Sequence, residues 1–157
     1  MFCIGIDPGI SGAVAILKPG EDPAVYDMQD PRILKELEWL QHMPVKALIE
    51  KVHSMPQQGV VSTFKFGTQY GRAIGWLEAN GIAFEYITPG KWWSQIKDSE
   101  YGTPKTAKAK KEAALSLARR LFPKLATEKL ARKKDHNRAE ALLLAEVLKR
   151  KGENDLK

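Results

Sequence analysis

The sequence predicts an α/β fold: a five-stranded mixed sheet, an antiparallel meander followed by parallel strands, flanked by helices. Three observations predict it. Residues 1–7, 12–17 and 24–28 are short apolar runs separated only by turns, as in strands linked by hairpins. Two further apolar runs, at 45–50 and 82–87, each follow a stretch of helical periodicity, and a strand reached through a helix rejoins its sheet in parallel. The remainder, from about residue 106, reads as helix.

Residues 1–7 (Met-Phe-Cys-Ile-Gly-Ile-Asp) stay apolar up to their last position, the pattern of a strand buried on both faces in mid-sheet. Asp7 stands where that strand leaves the core, ahead of Pro8-Gly9. Alone, it reads equally well as a turn residue and as a functional carboxylate carried on a rigid strand. Residues 18–22 (Lys-Pro-Gly-Glu-Asp) form the next turn. Asp30-Pro31 reads as N-cap and first helical position. Ile33, Leu34, Leu37, Leu40 and Gln41 then follow at helical spacing as far as Pro44. The run at 45–50 ends in Glu50, which emerges at the same end of the sheet as Asp7 if the two strands are parallel neighbours.

Residues 51–59 are a polar loop, and a helix over 60–80 is stopped by Gly81. Gly67, Gly71 and Gly75 share one face of that helix. Each costs about 1 kcal/mol relative to alanine, so they predict close packing, against the sheet or against the same helix of a second copy. After the strand at 82–87, Trp92-Trp93 lie between Lys91 and Lys97 and read as a core pair. Residues 98–103 are turn-rich. The helix over 106–121 has Ala113, Ala114, Leu117 and Leu121 on its buried side and Lys105, Lys108, Lys110 and Lys111 near its start. Cations there oppose the helix dipole, which points to an anionic ligand. The last helix begins near Asp135, carries Ala139, Leu142, Leu143, Ala145 and Leu148, and sets His136 and Glu140 on one face. Residues 1–150 are expected to form one domain and 151–157 a polar tail.

Composition narrows the function. The chain of 157 residues carries a single Cys and three His, which excludes a disulfide framework and a four-ligand structural zinc site. No apolar run approaches the ~20 residues of a membrane span, and residues 1–20 lack the features of a signal peptide, so a cytoplasmic protein is expected. The net charge is +6, but residues 104–134 hold eleven Lys or Arg against two acids. That stretch therefore carries +9 and the rest of the chain −3. A slightly acidic body with one basic stretch is the footprint of a phosphate-backbone ligand.

The chemistry converges on Asp7, Glu50 and Glu140, each at an element end. Three carboxylates without cysteine make a hard, oxygen-lined site suited to Mg2+ or Mn2+. Two such ions can serve both the attacking and the leaving oxygen of a phosphodiester.

The order of elements, Ile6-Asp7-Pro8-Gly9-Ile10-Ser11-Gly12-Ala13, Ile49-Glu50-Lys51-Val52, the Gly71-Arg72 helix and Ala139-Glu140-Ala141-Leu142 together resemble the RuvC-type Holliday junction resolvases. The similarity is nearest to the short phage-encoded branch of that ribonuclease H-like superfamily, and covers residues 1 to about 150. It implies a ribonuclease H-like fold. It also implies a metal-dependent homodimeric endodeoxyribonuclease that cuts two opposed strands of a four-way DNA junction, with Asp7, Glu50 and Glu140 as metal ligands.

Three departures from the family pattern stand out. The last acid is Glu140 where the bacterial enzymes have Asp. Asn137 occupies the position of a further ligand, so His136 is expected in that role, with Asp135 as the substitute. His53 stands where the family often has an aromatic wedge. Lys108 or Lys105, and after them Lys91, match the lysines near the scissile phosphate. His53, Gln57, Arg72, Lys110 and Lys111 complete the expected DNA contacts. Three alternatives remain open: a ribonuclease H-like nuclease acting on RNA–DNA hybrids or branched DNA generally, a non-catalytic junction-binding protein, and the phosphate-binding lobe of a sugar kinase or actin-like ATPase, which needs a second lobe.

Overall fold

The structure, a computed structural model, describes residues 1–53, 57–97 and 102–155. Strands β1 (Phe2–Asp7), β2 (Ala13–Leu17), β3 (Ala24–Asp27), β4 (Val45–Glu50) and β5 (Ala83–Ile87) form one sheet in the order β3-β2-β1-β4-β5. The first three pair antiparallel, and β4 and β5 continue in parallel from β1. This is the mixed sheet expected from the sequence, with the uniformly apolar β1 at its centre and fully buried.

Helices cover both faces. Helices α1 (Arg32–Leu40) and α2 (Val60–Ala79) lie on one side, over Phe2, Ile4, Ile6, Val14, Ile16, Ala47 and Ile49. Helices α3 (Pro89–Ile96), α4 (Ala107–Leu121) and α6 (His136–Asp155) lie on the other, over Cys3, Ala13, Ala15, Leu17 and Leu48. A short α5 (Pro123–Ala126) and a 3-10 turn (Lys133–Asp135) join α4 to α6. Among the described residues no helix is long and apolar enough to cross a membrane.

Strand alternation assigns every second residue to one face, and this positions the acids. Cys3, Gly5 and Asp7 share the α6 side of β1, and Leu48 and Glu50 share it on β4. The register pairs Ile6 with Ile49, so the next step sets Asp7 beside Glu50.

Several sequence expectations are corrected. Helix α1 starts at Arg32, one residue later than expected, with Pro31 already in helical conformation and Asp30 accepting from the Arg32 backbone N–H at 2.9 Å as an N-cap does. Leu34 is exposed and the apolar stripe is Ile33, Leu37 and Leu40. On α4 the buried set is Ala114, Leu115, Leu117 and Ala118. Helix α6 runs through Asp155, so residues 151–155 of the expected tail are helix. The turn expected at 98–103 and the loop at 51–59 lie partly outside the described residues.

The glycines of α2 do not pack on the sheet. A Cβ added at Gly67, Gly71 or Gly75 would meet nothing within 4 Å, and the buried contacts of α2 are Ala73 and Leu77. The glycine that permits close helix–sheet packing is Gly5, in β1, where a Cβ would collide with the backbone of α6 at Ala141 and Ala145.

Candidate metal centre

Three elements deliver the centre. Asp7 ends β1, Glu50 ends β4, and Glu140 lies one turn into α6, which crosses β1 at Gly5. Ligand oxygens of the three carboxylates lie within 4.8 Å of one another. Asp7 and Glu50 are each only 8% exposed. Gly12 makes the approach possible, since a Cβ there would strike the Asp7 and Gly9 backbone. The Gly9 N–H donates to Asp7 Oδ1 at 3.2 Å, so Asp7 does hold the turn. The turn reading of Asp7 is borne out, and the same carboxylate stands in the acidic cluster.

The electrostatics are those of an uncompensated acidic cluster. Burial raises the pKa of Asp7; the Gly9 hydrogen bond, the His136 charge, a hydrogen bond with Glu140 and the Lys111 charge pull it back only in part. Glu50 is pushed up to about 7, chiefly by burial with the Asp7 charge adding to it and against a hydrogen bond from Trp92. Glu140 is pushed up to about 8 by burial and by the charges of Asp7 and Glu50, with Lys111 opposing. Glu140 and Asp7 each bear on the other's titration, as expected of two carboxylates in one cluster.

Such a set fits divalent metal. Clustered carboxylate oxygens, free of sulfur and imidazole, are the donors hard cations prefer, and raised pKa values mark negative charge that lacks a counterion.

The expected fourth ligand is not brought in. Asp135 is 3% exposed and belongs to a separate network. Its carboxylate accepts from the Arg132 guanidinium at 2.9 Å and the Arg132 backbone N–H at 2.8 Å, and lies 3.7 Å from Arg138. His136 bears on Asp7 only through its charge, and its Nδ1 lies 3.3 Å from the Lys133 carbonyl. Neither joins the cluster of three. Asn137, at the family's ligand position, donates its side-chain amide to the Ser11 carbonyl and ties α6 to the β1–β2 turn.

The lysines separate as well. Lys111 is the α4 lysine whose charge reaches both Asp7 and Glu140. Lys105, Lys108 and Lys110 are exposed at the start of α4, and nothing in the structure ties Lys108 to the acids. Lys91 is exposed on α3, and His53 and Gln57 are exposed on the loop after β4. Gln57 adopts a left-handed φ of 70°. Arg72 donates to Gln29 at 3.0 Å and stacks on Trp76, 4.7 Å from the ring centre. The contact that sequence reasoning missed is Trp92, whose indole donates to Glu50.

No protein-family model matches the chain, and no curated protein matches it. Solved structures do. RuvC of Thermus thermophilus in complex with a Holliday junction substrate superposes with a TM-score of 0.57 at 17% identity. A second structure of Thermus thermophilus RuvC gives 0.58 at 21% identity. In each case 97% of this chain and 97% of the other are covered. At these identities the likeness is one of fold: the chain has the RuvC-like, ribonuclease H-like architecture.

Proposed function

We propose that the protein is a divalent-metal-dependent endodeoxyribonuclease that resolves four-way DNA junctions by symmetric phosphodiester hydrolysis. The observation that carries this reading is the convergence of buried Asp7 and Glu50 with half-buried Glu140, with no ion pair to any of the three among the described residues. Asp7, Glu50 and Glu140 would hold the ions, two Mg2+ or Mn2+ per site. When bound, the ions supply Lewis-acid activation of water and charge neutralisation at phosphate. The residues of the chain fix the geometry: the strand ends hold Asp7 and Glu50 in register, and α6 brings Glu140 across them. Lys111 lends positive potential at the rim. Lys105, Lys108 and Lys110, with Lys91, His53 and Gln57, form the surface offered to the phosphate backbone.

A junction has two opposed strands to cut, and the reading therefore includes a homodimer. The unfilled face of α2 supports it. Gly67, Gly71 and Gly75 face open space, and Val60, Val61 and Phe64 are exposed apolar side chains on the same helix. Gly71→Glu should leave the monomer fold intact, since a Cβ at Gly71 would meet nothing within 4 Å. Its expected result is a monomer in sedimentation where the wild type sediments as a dimer.

Synthetic four-way junction, linear duplex and RNA–DNA hybrid, each with Mg2+ or Mn2+, test the activity. The expected result is paired symmetric nicks in the junction alone. Equal cutting of the hybrid would favour a general ribonuclease H-like nuclease, and tight junction binding without cutting in either metal would favour a non-catalytic binding protein.

A further inference from the structure

The indole of Trp92 donates from Nε1 to Glu50 Oε1 at 2.7 Å, in a buried bond between groups 42 residues apart in the chain. Indole has one donor and no acceptor, so the whole polar capacity of this side chain is committed to one carboxylate oxygen. The ring itself is held. Trp92 is 4% exposed, stands edge-on to Trp93 at 5.7 Å between centres, and packs in the α6-side core with Leu48, Ile87 and Ile96. Helix α3, which carries it, follows β5 directly, with Thr88 as its N-cap and Pro89 in its first turn. Both partners are thus fixed to rigid elements.

We propose that Trp92 is a positioning residue for Glu50 and, through it, biases the centre toward small six-coordinate cations over calcium. With Oε1 accepting from the indole and the carboxylate plane held by it, the other oxygen of Glu50 is the one left fully free, which favours one-oxygen ligation. Mg2+ and Mn2+ suit such ligands at short, near-octahedral distances, whereas Ca2+ takes six to eight oxygens and favours two-oxygen carboxylates. Losing the N–H frees Glu50 to rotate and offer both oxygens. The inference rests on the metal-centre reading above.

Calorimetric titration of the intact protein with Mg2+, Mn2+ and Ca2+, without DNA, tests it. Two variants are compared with wild type: Trp92→Phe, and Trp92 replaced by benzothienylalanine, which keeps the ring shape and has sulfur in place of N–H. Thermal melts establish that each variant is folded. The expected result is Mg2+ affinity about tenfold weaker in both variants, the order seen when a hydrogen bond to a metal ligand is removed. Ca2+ affinity should change little, so the preference for Mg2+ narrows. In wild type, Mg2+ should also shift the Trp92 indole N–H resonance, identified by its absence from Trp92→Phe. A folded variant that keeps the wild-type cation preference, or an indole resonance that Mg2+ leaves in place, overturns the proposal. Wild type that binds none of the three cations overturns the metal centre itself, a distinct result reached before any variant is compared.

Discussion

Asp135 and the Asp7 and Glu50 of the acidic cluster are withdrawn from water to a similar degree, and they titrate in opposite directions. Asp135 is 3% exposed, and Asp7 and Glu50 are 8% exposed. Burial opposes ionisation in both places. At Asp135 it is outweighed by the side-chain and backbone hydrogen bonds of Arg132 and by the charges of Arg132 and Arg138, and the pKa is lowered. At the cluster no arginine among the described residues answers, and all three pKa values rise. A buried acid with its own cation is architecture, here fastening the start of α6. A buried acid without one costs the fold stability and marks a candidate site for a ligand from outside.

The largest effect should come from removing charge on the unanswered side. Asp7→Asn keeps a side-chain oxygen to accept the Gly9 N–H, so the turn is preserved while a metal ligand is lost. Junction cleavage should fall roughly 10^3-fold or more, with junction binding retained in a gel-shift assay. The same variant should melt higher than wild type in chelator, by ~2–4 °C for each kcal/mol of repulsion relieved in a chain of this size. A lower melting temperature would mean that Asp7 is as fully compensated as Asp135, and the contrast would collapse.

The pH dependence of stability separates the two regions next. Glu50 and Glu140 titrate at about 7 and about 8 in the folded protein, against 4.5 ordinarily. The native state therefore holds protons that the unfolded chain releases, and stability contributed below about 4.5 is lost as pH rises through 7 and 8. Asp135 behaves in the opposite sense: its contribution is present above its ordinary 3.8 and disappears as pH falls through its depressed folded value. In chelator the melting temperature should decline between pH 5 and pH 8. Glu140→Gln should flatten that decline, and saturating Mg2+ should remove it, because the cation takes the place of the proton. Asp135→Asn should leave that limb unchanged.

Arginine is what distinguishes the two regions, so its removal should convert one into the other. Arg138 grips Asp27 through two bonds of 2.6 Å, donates to the Lys129 carbonyl at 3.2 Å, and stands 3.7 Å from Asp135. Arg138→Ala should cost about 2 kcal/mol in denaturant unfolding, since it leaves Asp135 with one cation and frees the end of β3. An unchanged midpoint would show that Arg132 alone compensates Asp135.

How much of this was legible in the sequence follows from the range of the interactions. The sheet was legible, because apolar runs, turn residues and the helix before each parallel strand are local features. Asp7 and Glu50 were legible because a polar residue that ends a buried strand stands out. Neither His136 nor Asp135 joins the cluster of three, and for Asp135 the reason is readable. Arg132 and Arg138 flank Asp135 three residues on either side, and that spacing offers an ion pair on both flanks before it offers a metal. That the α2 glycines face away from the sheet was not legible, since periodicity gives a face and not what lies across it. The Trp92–Glu50 bond joins two segments through the tertiary fold, and no local pattern announces it. Among the lysines, the rotation of α4 against α6 decides which one reaches the acids, and that angle is set by side-chain packing along both helices.

Lys111 gives the smallest and most discriminating prediction, because it is the weak counterpart of Arg132. Its charge lowers the pKa of both Asp7 and Glu140 without reversing their rise. Removing it should raise both further, and a carboxylate must shed its proton before it can bind metal. Lys111→Ala should therefore weaken Mg2+ binding a few-fold near pH 6.5, consistent with the modest worth of an exposed charge. Above pH 8.5, where the acids are ionised in any case, losing a positive neighbour should leave binding equal to wild type or slightly tighter. Lys108→Ala should match wild type at both pH values while weakening DNA binding in a salt-dependent way. If instead Lys108→Ala shows the pH-dependent loss and Lys111→Ala does not, then Lys108 is the lysine coupled to the acids and α4 is rotated from the packing described.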